Sequence, residues 1–319
     1  MSWLESCQQS LQHGSQAIGD FLFPATCLLC DSPAFGQPWL FCQECEDKIY
    51  SNFYRCRKCA TPLPEVVPNQ DCFRCRKQKW KFDSVITLSP YRKPMDSVIK
   101  DMKRPSARLY RRSIGTMLAQ AAEAHWLRAF PCASASAQLE LLPESGALDK
   151  LSLSQESSSP DDSPMLVPVP NFWTHSLFGA ADVAGELARQ ISRINNWELR
   201  ADIIRKIRRT EKQGTLAWSE RPKNVRDAFQ IVEEKALVER HIILVDDVLT
   251  SAATGAEIAR VLMRSGAKSV TLCVAARGTG TKEVAESIHS ATESTKSPTQ
   301  DQPKRRNQES DSQETAGTS

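Results

Sequence analysis

Eight of the eleven cysteines of this chain stand in four Cys-x-x-Cys pairs within one short stretch of sequence. Two thiolates separated by two residues can bind one tetrahedral metal ion from a tight turn, and a second pair completes a closed four-cysteine site. The four pairs therefore predict two structural zinc ions. Because such closed sites have no open coordination position, the sequence predicts no catalytic role for the zinc. The predicted ligands are Cys27, Cys30, Cys42, Cys45, Cys56, Cys59, Cys72 and Cys75.

The spacing of the pairs indicates how they are shared between the two ions. Eleven residues separate the first two pairs and twelve separate the last two, as expected if one metal-binding unit had been duplicated within the chain. We expect the first two pairs to bind one ion and the last two pairs to bind the other. A cross-braced arrangement uses the same eight cysteines, and the sequence leaves that alternative open.

The sequence also bears on the compartment in which these thiols would work. It shows no secretory signal peptide and no run of about 18 apolar residues that could span a bilayer. We therefore expect a cytoplasmic protein, in which thiols serve metal binding more often than disulfide formation. The formal net charge of +3 gives no global polycation signal for nucleic-acid binding.

A second group of polar residues follows an apolar run near the end of the chain. The segment His241–Val245 predicts a parallel strand that is buried on both faces, and Asp246 and Asp247 come directly after it. We interpret these two carboxylates as the catalytic pair, which accepts hydrogen bonds from the 2′ and 3′ hydroxyls of a ribose. The N–H groups that open the following helix suit a phosphate. The residues expected to bind that phosphate are Thr250, Ser251, Ala252, Ala253 and Thr254.

An α/β fold with a parallel sheet has to position these residues, because ligands of such sheets bind at the carboxyl ends of the strands. Apolar runs predict strands at Phe82–Ser89, Met165–Val169, His241–Val245 and Ser269–Ala275. Helical periodicity predicts helices at Pro94–Lys103, Ser106–Leu127 and Leu177–Ile194, and a further helix that follows Thr254 and stops at Gly266.

The composition divides the chain into four parts. We expect an amphipathic N-terminal segment over 1–20, a small zinc module over 21–80, an α/β domain over 81–285 and a disordered tail over 286–319. The stretch around 131–164 is predicted to be a flexible insertion, because it and the tail contain too few core-forming residues to offset the entropy of ordering. Cys7 and Cys273, which stand outside the pairs, are expected to serve ordinary packing.

The segment Val245–Thr254 resembles the ribose-phosphate signature of the phosphoribosyltransferases. The order of the modules is similar to that of the ComF/GntX family of competence-associated proteins, in which a double zinc ribbon precedes a type I phosphoribosyltransferase domain. The similarity covers about 20–280 apart from the insertion. Further matching residues are Tyr91, Lys103, Pro168, Val169, Pro170, Arg209, Thr210, Gln213, Leu216, Arg221, Asn224, Val225, Ala228, Phe229 and Arg277.

This resemblance implies that the chain binds phosphoribosyl pyrophosphate together with Mg²⁺, and that an active member would be a glycosyltransferase acting on pentosyl groups in nucleotide metabolism. Two departures bear on that reaction. The family usually has Thr-Thr-Gly-Ala-Thr where Ala252 stands in this chain, and it carries several arginines where Asn171–Glu186 contains no Lys or Arg. A pyrophosphate would have to be bound by other cations, for which the candidates are Lys103, Arg209 and Arg221.

Basic residues predominate between Arg55 and Lys81, where Phe73 and Trp80 lie among them. Such a pattern is typical of surfaces that bind single-stranded DNA or RNA, although basic residues also offset the negative charge of zinc–thiolate centres. Three functions are therefore considered. The first is a phosphoribosyl pyrophosphate-binding protein, with or without transfer. The second is a non-catalytic competence, DNA-uptake or DNA-processing factor that binds single-stranded DNA or a helicase-like partner. The third is a ligand-sensing regulator.

Overall fold

A computed structural model of the chain describes residues 25–34, 40–50, 53–63, 72–130, 163–170, 181–211, 216–217 and 219–278. The predicted N-terminal segment, most of the predicted insertion and the predicted tail lie outside these ranges, as do Cys7 and Gln213. The domain bounds given above therefore stay predictions. Where the structure describes the chain, none of its helices is long and apolar enough to cross a membrane.

After two short helices in the cysteine-rich part, the described residues form strands interspersed with helices. In chain order they are α1 (Gln43–Ile49), α2 (Phe73–Lys77), β1 (Ser84–Pro90), α3 (Met95–Met102), α4 (Arg108–Ala129), β2 (Met165–Pro168), α5 (Val183–Asn195), β3 (Ile204–Lys206), α6 (Arg221–Val225), β4 (Phe229–Ile231), β5 (His241–Leu249), α7 (Ala253–Arg264) and β6 (Ser269–Arg277).

Four parallel strands form the main sheet, in the order β1-β6-β5-β2, and β3 pairs with β4 in a separate antiparallel ribbon. Successive side chains of β5 point to opposite faces: Ile243 and Val245 belong to one apolar core, and Ile242 and Leu244 belong to the other. Burial on both faces is what the nearly continuous apolar run of this strand predicts. The predicted fold class, a phosphoribosyltransferase-like α/β sheet preceded by a double zinc ribbon, is confirmed.

The two faces of the sheet are covered by different elements. One core contains residues of α3, α4 and α5, and the other contains residues of α7 and of the β3–β4 ribbon. Each core also includes cysteines of the zinc module: Cys27 and Cys45 belong to the first core, and Cys56 and Cys59 are among those in the second. The zinc module is thus packed against the α/β domain on both faces of the sheet.

Two element boundaries differ from the prediction by more than two residues. β5 continues past the aspartate pair to Leu249, because Val248 and Leu249 remain in register with β6. The helix predicted from Leu177 begins only at Val183, where the side chain of Asp182 accepts a hydrogen bond from the Gly185 N–H at 3.1 Å and caps the first turn. The segment 171–180, which the prediction had made part of this helix and its approach, lies outside the described residues.

Candidate functional site

The first cysteine cluster consists of Cys27, Cys30, Cys42 and Cys45, whose Sγ atoms all lie within 4.8 Å of one another. A tight turn brings the first pair together: the Asp31 N–H donates to the Cys27 carbonyl at 3.0 Å, and Asp31 takes a left-handed φ of 57°. The second pair lies at the start of α1, for which Cys42 is the residue preceding the first helical turn. A turn and a helix end therefore supply two ligands each.

The second cluster repeats this construction with Cys56, Cys59, Cys72 and Cys75, whose Sγ atoms also lie within 4.8 Å of one another. The Ala60 N–H donates to the Cys56 carbonyl at 2.9 Å, and Ala60 has a left-handed φ of 52°, like Asp31 in the first cluster. Cys72 immediately precedes α2. The backbone therefore repeats as well as the cysteine spacing, which supports an internal duplication.

The geometry of both clusters fits zinc. Four thiolates about 2.3 Å from a tetrahedral zinc ion are separated from one another by about 3.8 Å. The Sγ–Sγ distance is 3.5 Å for Cys30 and Cys42, and it is 3.8 Å for Cys56 and Cys75. The two four-cysteine clusters support two structural zinc ions, each site closed by its four protein ligands. The structure groups the cysteines in sequential pairs and not in the cross-braced arrangement.

The two zinc units attach to the α/β domain at different places. In the first unit, the Tyr110 hydroxyl of α4 donates to the Leu28 carbonyl, and the Leu40 N–H donates to the Ser113 hydroxyl at 3.1 Å. In the second unit, the Arg55 guanidinium donates to the Thr87 carbonyl of β1 at 2.9 Å. The first unit is therefore fixed to a helix, and the second is fixed to the sheet.

The aspartate pair lies on β5 close to its carboxyl end. The Asp247 N–H donates to the Asp246 carboxylate at 2.8 Å, and the Val248 N–H donates to the Asp247 carboxylate at 2.7 Å, so backbone amides orient both side chains. Burial raises the pKa of Asp246 well above its usual value, and the neighbouring Asp247 carboxylate raises it further. Asp246 is therefore more easily protonated than an aspartate that is exposed to water.

Of the three cations expected to bind pyrophosphate, two lie at this site. The Lys103 ammonium group forms an ion pair with Asp247 at 3.0 Å, and the Arg221 guanidinium donates to the Thr250 hydroxyl at 3.4 Å. Burial lowers the pKa of Lys103, but the Asp247 carboxylate outweighs burial and the net shift is upward. Lys103 is therefore held as a cation. Arg209 is exposed on the segment after β3 and makes no hydrogen bond or ion pair with the other described residues.

The loop between Asp247 and α7 contains a left-handed turn at Ala252. Ala252 precedes the first turn of α7 with a left-handed φ of 65°, a conformation that costs a residue with a Cβ about 1 to 2 kcal/mol and costs glycine nothing. At this position the residue type therefore differs from the glycine of the family pattern. The backbone nevertheless has the left-handed conformation that glycine favours. Ala252 is 3% exposed, so its methyl group packs inside the protein.

The sequence places Arg277 only as a residue after the last strand, whereas in the structure it is buried and makes several hydrogen bonds. It is the final residue of β6, its side chain is fully buried, and its guanidinium donates to the carbonyls of Leu249 and Thr250 in the loop. Gly278 lies beside it, where a Cβ would come within 3.1 Å of the Thr250 side chain. The sequence shows only that Arg277 directly follows the apolar run 272–276, which does not indicate its partners.

The comparisons with known proteins agree with this architecture. The family model described as a double zinc ribbon domain matches residues 18–76. The chain is 27% identical over 251 residues to the DNA utilization protein YhgH of Escherichia coli K12, covering 77% of this chain and 94% of that protein. It is 24% identical over 237 residues to the competence protein F of Haemophilus influenzae, covering 74% of this chain and 90% of that protein.

A solved structure also matches, the crystal structure of TT1426 from Thermus thermophilus, with 16% identity, a TM-score of 0.24 and coverage of 54% of this chain and 84% of that one. A likeness at this TM-score adds nothing to the description of the fold. The fold and the two cysteine clusters define a double-zinc-ribbon protein with a phosphoribosyltransferase-like α/β domain. Together with the similarity to the two relatives just named, this architecture supports membership of the ComF family.

The grouping of the zinc ligands leads to a test of metal content. The Cys27→Ser/Cys42→Ser variant removes two ligands from the first cluster and none from the second, so it should retain one tightly bound zinc ion where the unaltered chain retains two. Atomic emission after exposure to a chelator measures the content. The matched variant Cys27→Ser/Cys56→Ser removes one ligand from each cluster and should make both ions labile. The opposite result for the two variants would support cross-braced sites.

The backbone of Ala252 leads to a test of stability. Ala252→Gly relieves the left-handed conformation but loses a buried methyl group, so its free energy of unfolding should stay within about 1 kcal/mol of the unaltered chain. Ala253→Gly is the matched control, because Ala253 is equally buried but has no positive φ and lies in the first turn of α7. In urea denaturation, Ala252→Gly should be the more stable by about 1 to 2 kcal/mol. Equal stabilities would contradict the strain at Ala252.

Proposed function

We propose that the chain binds a phosphoribosyl pyrophosphate-like ligand at the loop that runs from Asp246 to Thr254. The observation that supports this proposal best is that three features lie together at the carboxyl end of β5. They are the aspartate pair, the left-handed turn at Ala252 that precedes α7, and the cations Lys103 and Arg221. Open α/β sheets bind their ligands at this edge.

Each feature has a part in the proposed complex. The backbone N–H groups at the start of α7 and the hydroxyls of Thr250 and Ser251 bind the 5′-phosphate, since the helix N-terminus is the favourable end for an anion. Asp246 and Asp247 accept hydrogen bonds from the ribose hydroxyls, as the backbone amides hold both carboxylates in place. Lys103 is positioned to exchange its contact with Asp247 for a contact with the pyrophosphate.

We propose that the ligand binds together with Mg²⁺. Mg²⁺ prefers oxygen donors and is usually bound through substrate phosphates with one or two carboxylates, and the Asp246–Asp247 pair offers such oxygens. When bound, the ion neutralises part of the pyrophosphate charge. The chain's own contribution to that neutralisation is small: the described residues at the loop include the two cations named above, while the arginine-rich segment typical of the family is replaced by residues without Lys or Arg.

Transfer of the phosphoribosyl group requires more than binding. The leaving pyrophosphate must be stabilised as the C1–O bond breaks, and an acceptor must lie on the opposite side of the ribose. We therefore propose binding as the function of the site, and a screen of nucleobases with the bound ligand as the assay for transfer. A reducing cytoplasm, in which the thiols stay free to bind zinc, is the compartment that this proposal requires.

Calorimetric titration with phosphoribosyl pyrophosphate and Mg²⁺ tests the binding proposal. Asp247→Asn keeps the shape of the side chain but loses a charged acceptor, so the affinity should fall at least about tenfold. The substitution Asp202→Asn makes the same change at an exposed aspartate next to β3 that pairs with Arg200, and it should leave the affinity unchanged. An absence of binding heat in the unaltered chain, or equal affinities for the two variants, would overturn the proposal.

A second function is favoured by the surface of the second zinc unit. Arg57, Arg76, Lys77, Lys79 and Lys81 are partly or fully exposed around it, so a cluster of positive charge faces solvent. The relatives named as DNA utilization and competence proteins suggest DNA as the polyanion that this cluster binds. Binding of single-stranded DNA through phosphate contacts is consistent with such a cluster.

Two residues expected at this surface are less suited to contact DNA. Arg74 is only 8% exposed, so it lies beneath the cluster. The Trp80 ring is stacked on the buried Phe82 ring with 5.4 Å between the ring centroids, so one of its faces is already covered. The support for DNA binding therefore rests on the exposed charges and not on base stacking. A helicase-like partner could use the same charges, and it is the alternative occupant of this surface.

The variant Arg76→Gln/Lys77→Gln/Lys79→Gln tests this second function. Single-stranded DNA affinity should fall, and the slope of log affinity against log salt should become shallower by about 2, because three phosphate contacts are lost. The control Lys235→Gln/Arg264→Gln/Lys268→Gln removes the same charge from exposed positions at the other end of α7 and β5 and should change neither quantity. Equal effects of the two triple variants, measured by fluorescence anisotropy, would exclude a DNA site at the second zinc unit.

A further inference from the structure

The buried guanidinium of Arg277 joins the second zinc unit to the phosphate-binding loop. On one side its Nε donates to the Cys59 carbonyl at 2.8 Å, and an Nη donates to the Thr61 hydroxyl at 3.3 Å. On the other side it donates to the Leu249 carbonyl at 2.6 Å and to the Thr250 carbonyl. Cys59 is a ligand of the second cluster, and Thr250 belongs to the loop, so one side chain contacts both sites.

The charge of Arg277 needs a compensating negative charge. Its hydrogen-bond partners among the described residues are carbonyl and hydroxyl oxygens, and none is a carboxylate. A buried cation without a counter-charge is strongly unfavourable. The adjacent centre supplies that charge when it is loaded, because one Zn²⁺ with four thiolates has a formal charge of −2. The zinc-loaded second centre is therefore the counter-charge of Arg277.

The first zinc unit offers a contrast within the same molecule. It contacts α4 through Tyr110 and Ser113, and in the described part of the chain none of its hydrogen bonds reaches the segment from Leu249 to Thr254. The two units have similar cysteine spacing and turn geometry, yet among the described residues only the second is hydrogen-bonded to the residue that supports the loop. Duplication has thus produced two centres with different structural neighbours.

We propose that Arg277 is a positioning residue that couples the second zinc centre to the phosphate-binding loop. With zinc bound, Arg277 fixes the carbonyls of Leu249 and Thr250 and so aims the following N–H groups of the loop toward the ligand. Loss of that zinc removes the counter-charge of Arg277 and releases the loop. The part of this inference that concerns ligand affinity rests on the proposed function, while the coupling of zinc to the loop does not.

Hydrogen exchange in the ligand-free protein tests the coupling directly. Arg277→Lys keeps the positive charge, but one ammonium group cannot donate to Cys59, Thr61 and the two loop carbonyls together. Amide exchange in a peptide covering 249–254 should become at least about tenfold faster. The matched control is Arg111→Lys, the same change at an arginine that is 3% exposed and donates to the carbonyls of Met102, Arg104 and Pro105, away from this loop. Equal loop exchange in both variants would overturn the proposal.

Zinc release gives a second readout, because coupling is reciprocal. A chelator should remove one of the two zinc ions at least about tenfold faster from the Arg277→Lys variant, and the second ion at an unchanged rate. Thr61→Val removes one acceptor of Arg277 without changing the charge and should speed amide exchange at 249–254 by less than Arg277→Lys does; exchange is its readout, because the Thr61 hydroxyl also contacts the Cys59 Sγ at 3.1 Å. It keeps the proposal testable if Arg277→Lys does not fold. Unchanged loop exchange in the Thr61→Val variant would contradict the coupling.

The ligand experiment separates this inference from the proposed function. If the unaltered chain binds phosphoribosyl pyrophosphate with Mg²⁺, Arg277→Lys should weaken that binding at least about tenfold, although no contact of Arg277 with the ligand is proposed. If the unaltered chain shows no binding, the proposed function fails, and loop exchange and zinc release still decide the coupling. If binding is present but exchange and zinc release are unchanged by Arg277→Lys, the coupling fails and the proposed function stands.

Discussion

Burial of β5 on both faces constrains the rest of the structure. The strand lies between β6 and β2, and its alternate side chains enter two separate apolar cores, so its path through the protein is fixed at every residue. Because the strand cannot shift, the point at which it leaves the sheet is fixed as well. Asp246 and Asp247 lie just before that point, and the turn into α7 lies just after it. The candidate site is precise because the core behind it is rigid.

The zinc module is part of this core and not an appendage. Cys27 and Cys45 of the first cluster are buried in the core that contains α4, and all four cysteines of the second cluster are buried in the core on the opposite face of the sheet. A unit of this size buries little apolar surface of its own, and metal coordination supplies the missing folding free energy. Zinc binding therefore stabilises the interface with the α/β domain as well as the module.

The features that follow local rules could be predicted from the sequence, and those that depend on distant contacts could not. The eight cysteines, the four apolar runs and the aspartate pair are recognised from spacing and periodicity within short windows. The true end of β5 depends on its pairing with β6, and the start of α5 depends on the Asp182 cap, which competes with the apolar periodicity around Leu177. The contact between Arg277 and Cys59 joins residues 218 positions apart, a separation over which the sequence has no pattern.

The loop between Asp247 and α7 combines a backbone conformation that favours glycine with an alanine at position 252. A glycine would adopt the left-handed turn at Ala252 freely, whereas alanine adopts it only because other contacts hold it there. Those contacts come from both sides of the turn: α7 begins directly after Ala252, and Arg277 with Gly278 fixes the preceding residues Leu249 and Thr250. The chain thus keeps a left-handed turn with a residue that disfavours it, which requires the surrounding structure to maintain the loop. Because alanine disfavours this turn, the hydrogen bonds from Arg277 contribute more to holding the loop than they would if residue 252 were glycine.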